Sequence, residues 1–415
     1  MTRPRSSIQN RQKLSDIYDV FDPAVDSIIR DELRARPFAN RRQWEFSIIY
    51  LALERAGFLK PNTRGLAMGA GTERLIYAIA PKVDKAVITD LYGMSGGWQG
   101  LDTPDPQELI LAKAPWEIDP NRLEALPMDM RDLKFPDDSF DFCWSTGAIE
   151  HIGSDDDFIK HFNEVWRVLK PGGMYALTTA CILGADTARI PNNYYFAPQH
   201  LLDLAHESRL QTLPVFDCHL REHSLNDAKI ENLGEFGFPA GNHTSPLIAL
   251  RRGCLVVGNS LILTKSSETK VRPVIEGLSE TTDMAKRTAE RLNKRTWKQW
   301  QPLTLIPQPG FLRSSFLWFG EKTVDVQLIG DFKRARVYAR PLIDSEPKLL
   351  FETETPAFQF DASSDRIYVV HLDGASSNHT VLRARHGSKG DYQLILPRDE
   401  PHGLIDKIKR VFRNF

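Results

Sequence analysis

Residues 66–80 read LAMGAGTERLIYAIA. An apolar strand ends at Met68, Gly69-Ala70-Gly71 turns the chain, and a run of helical period follows. Glycines suit such a turn because it is tight, and because the backbone N–H groups at a helix N-terminus must come close to a ligand. A plain strand-to-helix turn uses the same residues, so the loop alone leaves both readings open. The next strand, in VITDLY, ends at Asp90. A carboxylate about 20 residues beyond the glycine turn is where α/β folds grip a ribose diol. A helix-capping Asp is the plainer alternative at that position.

Working outward, short apolar runs alternate with helical stretches. GLAMGAG, AVITDLY, FDFCWST and GGMYALTTA read as strands, and TERLIYAIA and DDFIKHFNEVWRVLK as helices. That alternation predicts βαβ units and a parallel sheet. Upstream, DPAVDSIIRDELRA predicts a helix with Asp22 as N-cap and Pro23 as first residue, and RRQWEFSIIYLALERAG predicts a second, stopped by Gly57. Downstream, YFAPQHLLDLAHE predicts one more helix. LPVFDC and LVVGNSLILTK are expected to form an antiparallel pair closing the sheet, with a polar insertion between them.

In later segments the chain resembles the class I S-adenosylmethionine-dependent methyltransferases. LPMDMRDLKFPDDSFDFCWST is similar to that family's third and fourth strands with their link, GAIEHIG to the loop after the fourth, and RVLKPGGMYALTT to the entry of the fifth. The resemblance covers about residues 45–265. It implies a Rossmann-like sheet with helices on both faces, and S-adenosylmethionine as cofactor. It further implies that Gly69, Ala70 and Gly71 line the methionine side, and that Asp90 binds the ribose. Asp129 would accept from the adenine amino group, with the Met130 N–H on the ring, and Ser145 would stand at the strand tip near the sulfonium. Two positions depart from the family pattern. Ala67 replaces a frequent acidic residue, and Glu73 stands at the third glycine, where its carboxylate is a candidate replacement.

Methyl transfer is an in-line displacement, so the protein's main task is to hold donor and acceptor together. A hydroxyl acceptor also needs a base. His151, in IEHI after the fourth strand, is the candidate, with Glu150 orienting it or capping a helix. Simple capping of the helix that follows is the alternative for His151. Asp155-Asp156-Asp157 before FIKHF has the form of a helix start. Cys218, His219, Glu222 and His223 have ligand-like spacing, but no second ligand pair accompanies them and no metal is expected.

The expected organisation is a helical cap over 1–44, the cofactor domain over 45–266, a connecting helix within 267–305, a β-sandwich-like domain over 306–400 and an amphipathic helix over 401–415. Regularly spaced short strands from about residue 311 motivate the sandwich. Its Trp318, Phe319, Tyr338 and Tyr368 suit either core packing or stacking on sugars. The terminal helix suits packing on the protein's own body or weak contact with an anionic membrane face.

Lys+Arg 53 against Asp+Glu 54 speaks against a nucleic-acid partner, which needs a basic surplus. No run of about 18 apolar residues is present, and the first residues lack a signal-peptide pattern. With four cysteines and no C-x-x-C pair, a cytoplasmic setting, or one at the inner face of a membrane, is expected. The functional expectation is methyl transfer to a hydroxyl of a glycan, glycolipid precursor or small metabolite. The alternative is a degenerate methyltransferase fold serving with the β domain as a binding or assembly module.

Overall fold

The computed structural model describes residues 12–37, 40–94, 101–184, 186–190, 193–221, 247–251, 254–295, 301–303, 305–308, 310–314, 322–341, 348–363, 366–376 and 379–386. The chain divides into two units: the first runs to Ile182 and takes in Thr187–Asn226 and Val257–Thr281, and the second takes in Leu183–Asp186, Asp227–Val256 and the chain from Thr282.

The first unit holds β1 (Lys13–Leu14), α1 (Arg41–Arg55), β2 (Arg64–Met68), α2 (Arg74–Ile79), β3 (Lys85–Asp90), α3 (Pro106–Ala112), β4 (Leu123–Pro127) and β5 (Phe140–Thr146). α4 (Asp155–Val168), β6 (Leu169–Ile182), α5 (Pro198–Glu207), β7 (Val215–Asp217), β8 (Cys254–Thr264), β9 (Val274–Glu276) and the start of α6 (Leu278–Arg295) follow. One sheet runs β9-β7-β1-β8-β6-β5-β2-β3-β4. The pairings β5–β6, β2–β5, β2–β3 and β3–β4 are all parallel. These central strands are covered on both faces, which is why they read as unbroken apolar runs.

Local chemistry sets the helix ends. The Asn40 side chain accepts from Gln43 N at 2.7 Å to start α1, and Gly57 at φ +75° stops the chain just past it. α1 buries Trp44, Ile48, Ile49, Leu51 and Leu53. Ser154 and Asp157 form a reciprocal capping box at the start of α4. The KPGG of RVLKPGGMYALTT is a bulge at the entry of β6, where the register with β5 shifts between Phe140 and Phe142. A Cβ on Gly173 would stand 2.8 Å from the Lys170 carbonyl and 2.9 Å from that of Asp141. Only glycine fits there.

The sheet edge differs from the expected antiparallel pair. β1 lies between the two segments, antiparallel to β8 (Lys13↔Ser260) and parallel to β7 (Lys13↔Asp217). Gln12 Nε2 donates to the carbonyls of Leu213 and Val215, each at 3.1 Å, which stitches β1 to its neighbour. Lys13 pairs with Asp19 at 2.8 Å, both side chains being almost wholly buried, and Trp44 Nε1 donates to the other Asp19 oxygen at 2.8 Å. Lys13–Leu14, within the stretch expected as a helical cap, is therefore a strand of the sheet.

The sheet also extends past residue 266. β9 pairs in parallel with β7. Lys270 Nζ donates to the carbonyls of Ala205, His206 and Ser208 at the C-terminal end of α5, where a cation opposes the helix dipole.

The second unit contains two antiparallel sheets. β10 (Gln301–Leu303), β13 (Lys322–Ile329), β16 (Ala357–Ala362) and β18 (Val381–His386) form one, in the order β10-β18-β13-β16. β11 (Leu305–Gln308), β12 (Phe311–Ser314), β14 (Arg334–Pro341), β15 (Lys348–Thr353) and β17 (Arg366–Asp373) form the other, in the order β11-β12-β17-β14-β15. Phe351 on β15 meets Phe358 and Phe360 on β16, with ring centroids 5.4 and 6.3 Å apart. Tyr368 is core, with its ring 5.1 Å from Phe360. Tyr338 is half-buried against His371. Trp318, Phe319 and the terminal segment 401–415 lie outside the described residues.

Candidate functional site

At the end of β2 the chain enters the glycine loop. Gly69 has φ +60° and Gly71 φ +52°, a region costly for residues with a Cβ. A Cβ on Gly69 would stand 2.6 Å from that of Ala148 and 3.0 Å from Met130 Cε, so this glycine also keeps the crevice open. Asp90, at the end of β3, holds the loop. Its Oδ2 accepts from Gly71 N and its Oδ1 from Leu91 N, both at 2.7 Å. Burial raises the Asp90 pKa, and these two backbone donors oppose that rise. Each oxygen keeps a second lone pair, the acceptor pattern a vicinal diol requires.

Glu73 precedes α2 without capping it. Its carboxylate turns towards β5 instead, accepting from Trp144 Nε1 at 3.1 Å and from the Thr146 hydroxyl. Ala67, where the family pattern often has an acid, is wholly buried. Desolvation pushes the Glu73 pKa up to about 7, against the opposing hydrogen bonds and the nearby Arg42.

A stability prediction follows from that shift. An unfolded glutamate ionises near 4.5. Between that pH and about 7 the folded chain binds the additional proton, so stability falls as pH rises through the window and stays lowered above it. Glu73→Gln should therefore raise the Tm at pH 8, and the gap should close at pH 4. A gap of equal size at both pH values would mean that Glu73 is ionised in the fold throughout.

Asp129, Met130 and Arg131 follow β4. Arg131 forks onto Asp129, with Nη2 2.7 Å from Oδ2 and Nε 3.0 Å from Oδ1. The guanidinium's hydrogen bonds hold the Asp129 pKa below its ordinary value. Arg131 Nη1 also donates to the Ile152 carbonyl at 2.8 Å and to Asp157 at 3.1 Å, tying this loop to the one after β5. Beneath Met130, the buried His161 makes hydrogen bonds of 2.9 Å to the Met130 carbonyl and to the Tyr175 hydroxyl. Burial pushes its pKa down to about 4, so it is neutral at physiological pH. The sequence marked His161 only as a helical position; its place beside Phe158, Phe162 and Val165 on the buried face was the available signal.

Ser145 is wholly buried. Strand alternation puts it on the face opposite Trp144 and Thr146, away from Glu73. His151 is half-buried in a single 3₁₀ turn, Ile149–His151, immediately beyond β5. Glu150 does not orient it, contrary to the sequence expectation. One Glu150 oxygen accepts from the Thr179 hydroxyl at 2.6 Å and the other faces Arg41 Nη2 at 3.5 Å. Nor does Glu150 cap α4, which Ser154 and Asp157 cap.

Arg41 and Arg42, at the start of α1, escaped the sequence reading. Arg41 Nε pairs with the buried Glu45 at 2.5 Å, and Arg42 Nη1 donates to Glu45 at 3.1 Å and to the Thr146 carbonyl at 3.1 Å. Glycine loop, Asp90, Thr146 and His151 thus share the carboxyl-terminal edge of the parallel strands, where open α/β sheets bind ligands. Among the described residues, no group of three or more His, Cys, Asp or Glu side chains is arranged to hold a metal ion. Glu222 and His223 lie outside them, and His219 pairs with Asp217 at 2.9 Å. No helix among the described residues is long and apolar enough to cross a membrane.

Residues 100–177 match the family model described as a methyltransferase domain. No curated protein matches the chain. Among solved structures, a protein assigned as a sarcosine dimethylglycine methyltransferase from Galdieria sulphuraria is 23% identical, with TM-score 0.32. The alignment covers 40% of this chain and 60% of that one, so this chain spans under two thirds of its length. Geranyl diphosphate C-methyltransferase from Streptomyces coelicolor is 13% identical, with TM-score 0.35 and 51% and 77% of the two chains covered. Phosphoethanolamine N-methyltransferase from Haemonchus contortus is 19% identical, with TM-score 0.32 and 47% and 41% covered. By the family match, residues 100–177 are similar to a methyltransferase domain.

Proposed function

We propose that the chain carries a class I methyltransferase domain, which takes S-adenosylmethionine as donor and methylates a hydroxyl on a glycan, glycolipid precursor or small metabolite. The observation that carries this reading is the meeting of Gly71, Asp90 and Glu73 at one strand edge, with His151 on the loop beyond. The residues fit the donor. Gly69 leaves space that a side chain would fill, Asp90 offers two oxygens to a diol, and Glu73 offers a carboxylate to an ammonium. The Asp129 carboxylate, although shared with Arg131, keeps lone pairs for an adenine amino group. The donor supplies a methyl group activated on a sulfonium. His151 would take the proton of the attacking hydroxyl, and the surrounding strand ends would hold the two reactants in line. The two antiparallel sheets of the second unit are proposed to form a sandwich that recognises the acceptor.

Calorimetric titration with S-adenosylhomocysteine, set beside NAD, tests the donor. The expected result is saturable binding of the first and none of the second. Absence of binding by either would favour the degenerate fold acting as a binding or assembly module.

A further inference from the structure

Thr146 joins two side chains of opposite charge that come from distant parts of the chain. Its carbonyl accepts from Arg42 Nη1 at 3.1 Å, and its hydroxyl donates to Glu73. Arg42 stands on the first turn of α1 and Glu73 at the start of α2, so neither position hints at the other in sequence. Arg42 is anchored through a single nitrogen, Nη1, which also reaches Glu45 at 3.1 Å. Its Nε and Nη2 make no hydrogen bond among the described residues, and its side chain is 56% exposed. Gly147, at φ +57°, keeps the ground beside this guanidinium clear. A Cβ there would stand 3.1 Å from Arg42 Nη1. A fork with one nitrogen fixed and two open is preorganised for a carboxylate.

We propose that Arg42 and Glu73 form a two-point clamp for the zwitterionic amino-acid end of the methyl donor, Arg42 taking the α-carboxylate and Glu73 the α-ammonium. The clamp rests on the donor reading above. It replaces the single acidic residue absent at Ala67 with a pair bridged by Thr146. It also makes the start of α1 part of the donor site.

The test compares three ligands on the full chain. S-adenosylhomocysteine carries both charges, its decarboxylated analogue carries only the ammonium, and 5′-methylthioadenosine carries neither. Arg42→Met should weaken S-adenosylhomocysteine about 10- to 30-fold, as expected for loss of a part-exposed charge-assisted pair. It should leave the other two ligands unchanged. Arg42→Lys, which keeps the charge without the fork, should lose less. Glu73→Gln should weaken both ammonium-bearing ligands and spare 5′-methylthioadenosine. Equal weakening of all three ligands by Arg42→Met would overturn the clamp and make Arg42 a support of the loop, and so would unchanged affinity in a folded variant. If the unaltered protein binds none of the three, the donor reading itself fails. Binding of all three with no discrimination by the variants removes the clamp alone.

Discussion

His151→Ala lowers kcat by about 10²–10⁴-fold, the usual contribution of a general base, if the acceptor is a neutral hydroxyl. Affinity for S-adenosylhomocysteine stays close to that of the unaltered protein, because the glycine loop and its carboxylates are separate from the 3₁₀ turn carrying His151. Raised pH restores part of the rate, as hydroxide replaces the imidazole. Glu150→Gln gives a contrasting result. Its carboxylate is engaged by Thr179 and Arg41, so its loss disturbs stability more than kcat. Turnover of His151→Ala equal to that of the unaltered enzyme would eliminate the base assignment and leave catalysis by proximity alone.

Asp90→Ala weakens S-adenosylhomocysteine by about 30- to 150-fold, the loss expected for charge-assisted bonds to both ribose hydroxyls. The same carboxylate accepts from Gly71 N and Leu91 N, so part of this loss comes from a loosened loop. A 2′-deoxy analogue of the ligand separates the two contributions. It should bind several-fold more weakly to the unaltered protein and lose less than the parent ligand on Asp90→Ala, the remainder measuring the 3′-hydroxyl bond and the loop. If the variant weakens both ligands by the same factor, Asp90 serves the loop only.

Both predictions concern residues that were visible in sequence for a physical reason. A strand-to-helix turn that brings backbone close to a ligand needs glycine at positive φ, so Gly69 and Gly71 leave a local trace. A central parallel strand must be apolar on both faces, so LAM, AVIT and FDFCW stand out, as do the polar residues that end them. The K-P-G-G entry of β6 is legible because only glycine tolerates the approach of the Lys170 and Asp141 carbonyls. Helix ends at Asn40, Gly57 and Ser154 obey rules spanning a few residues.

What sequence alone determined was therefore the parallel α/β core, its order of elements and the positions of the loop and strand-end residues. Only the tertiary structure decided which side chains those residues meet. β1 is too short to carry a periodic signal, and its place between β7 and β8 depends on Gln12 and on the buried Lys13–Asp19 pair. The orientation of Glu150, 109 residues from Arg41, and the bridging of Arg42 to Glu73 through Thr146 are long-range choices. A charged side chain reads the same in sequence whether it points to solvent or into a fold. Its partner is selected by the desolvation cost of leaving it buried and unpaired, and that cost exists only once the strands and helices have packed.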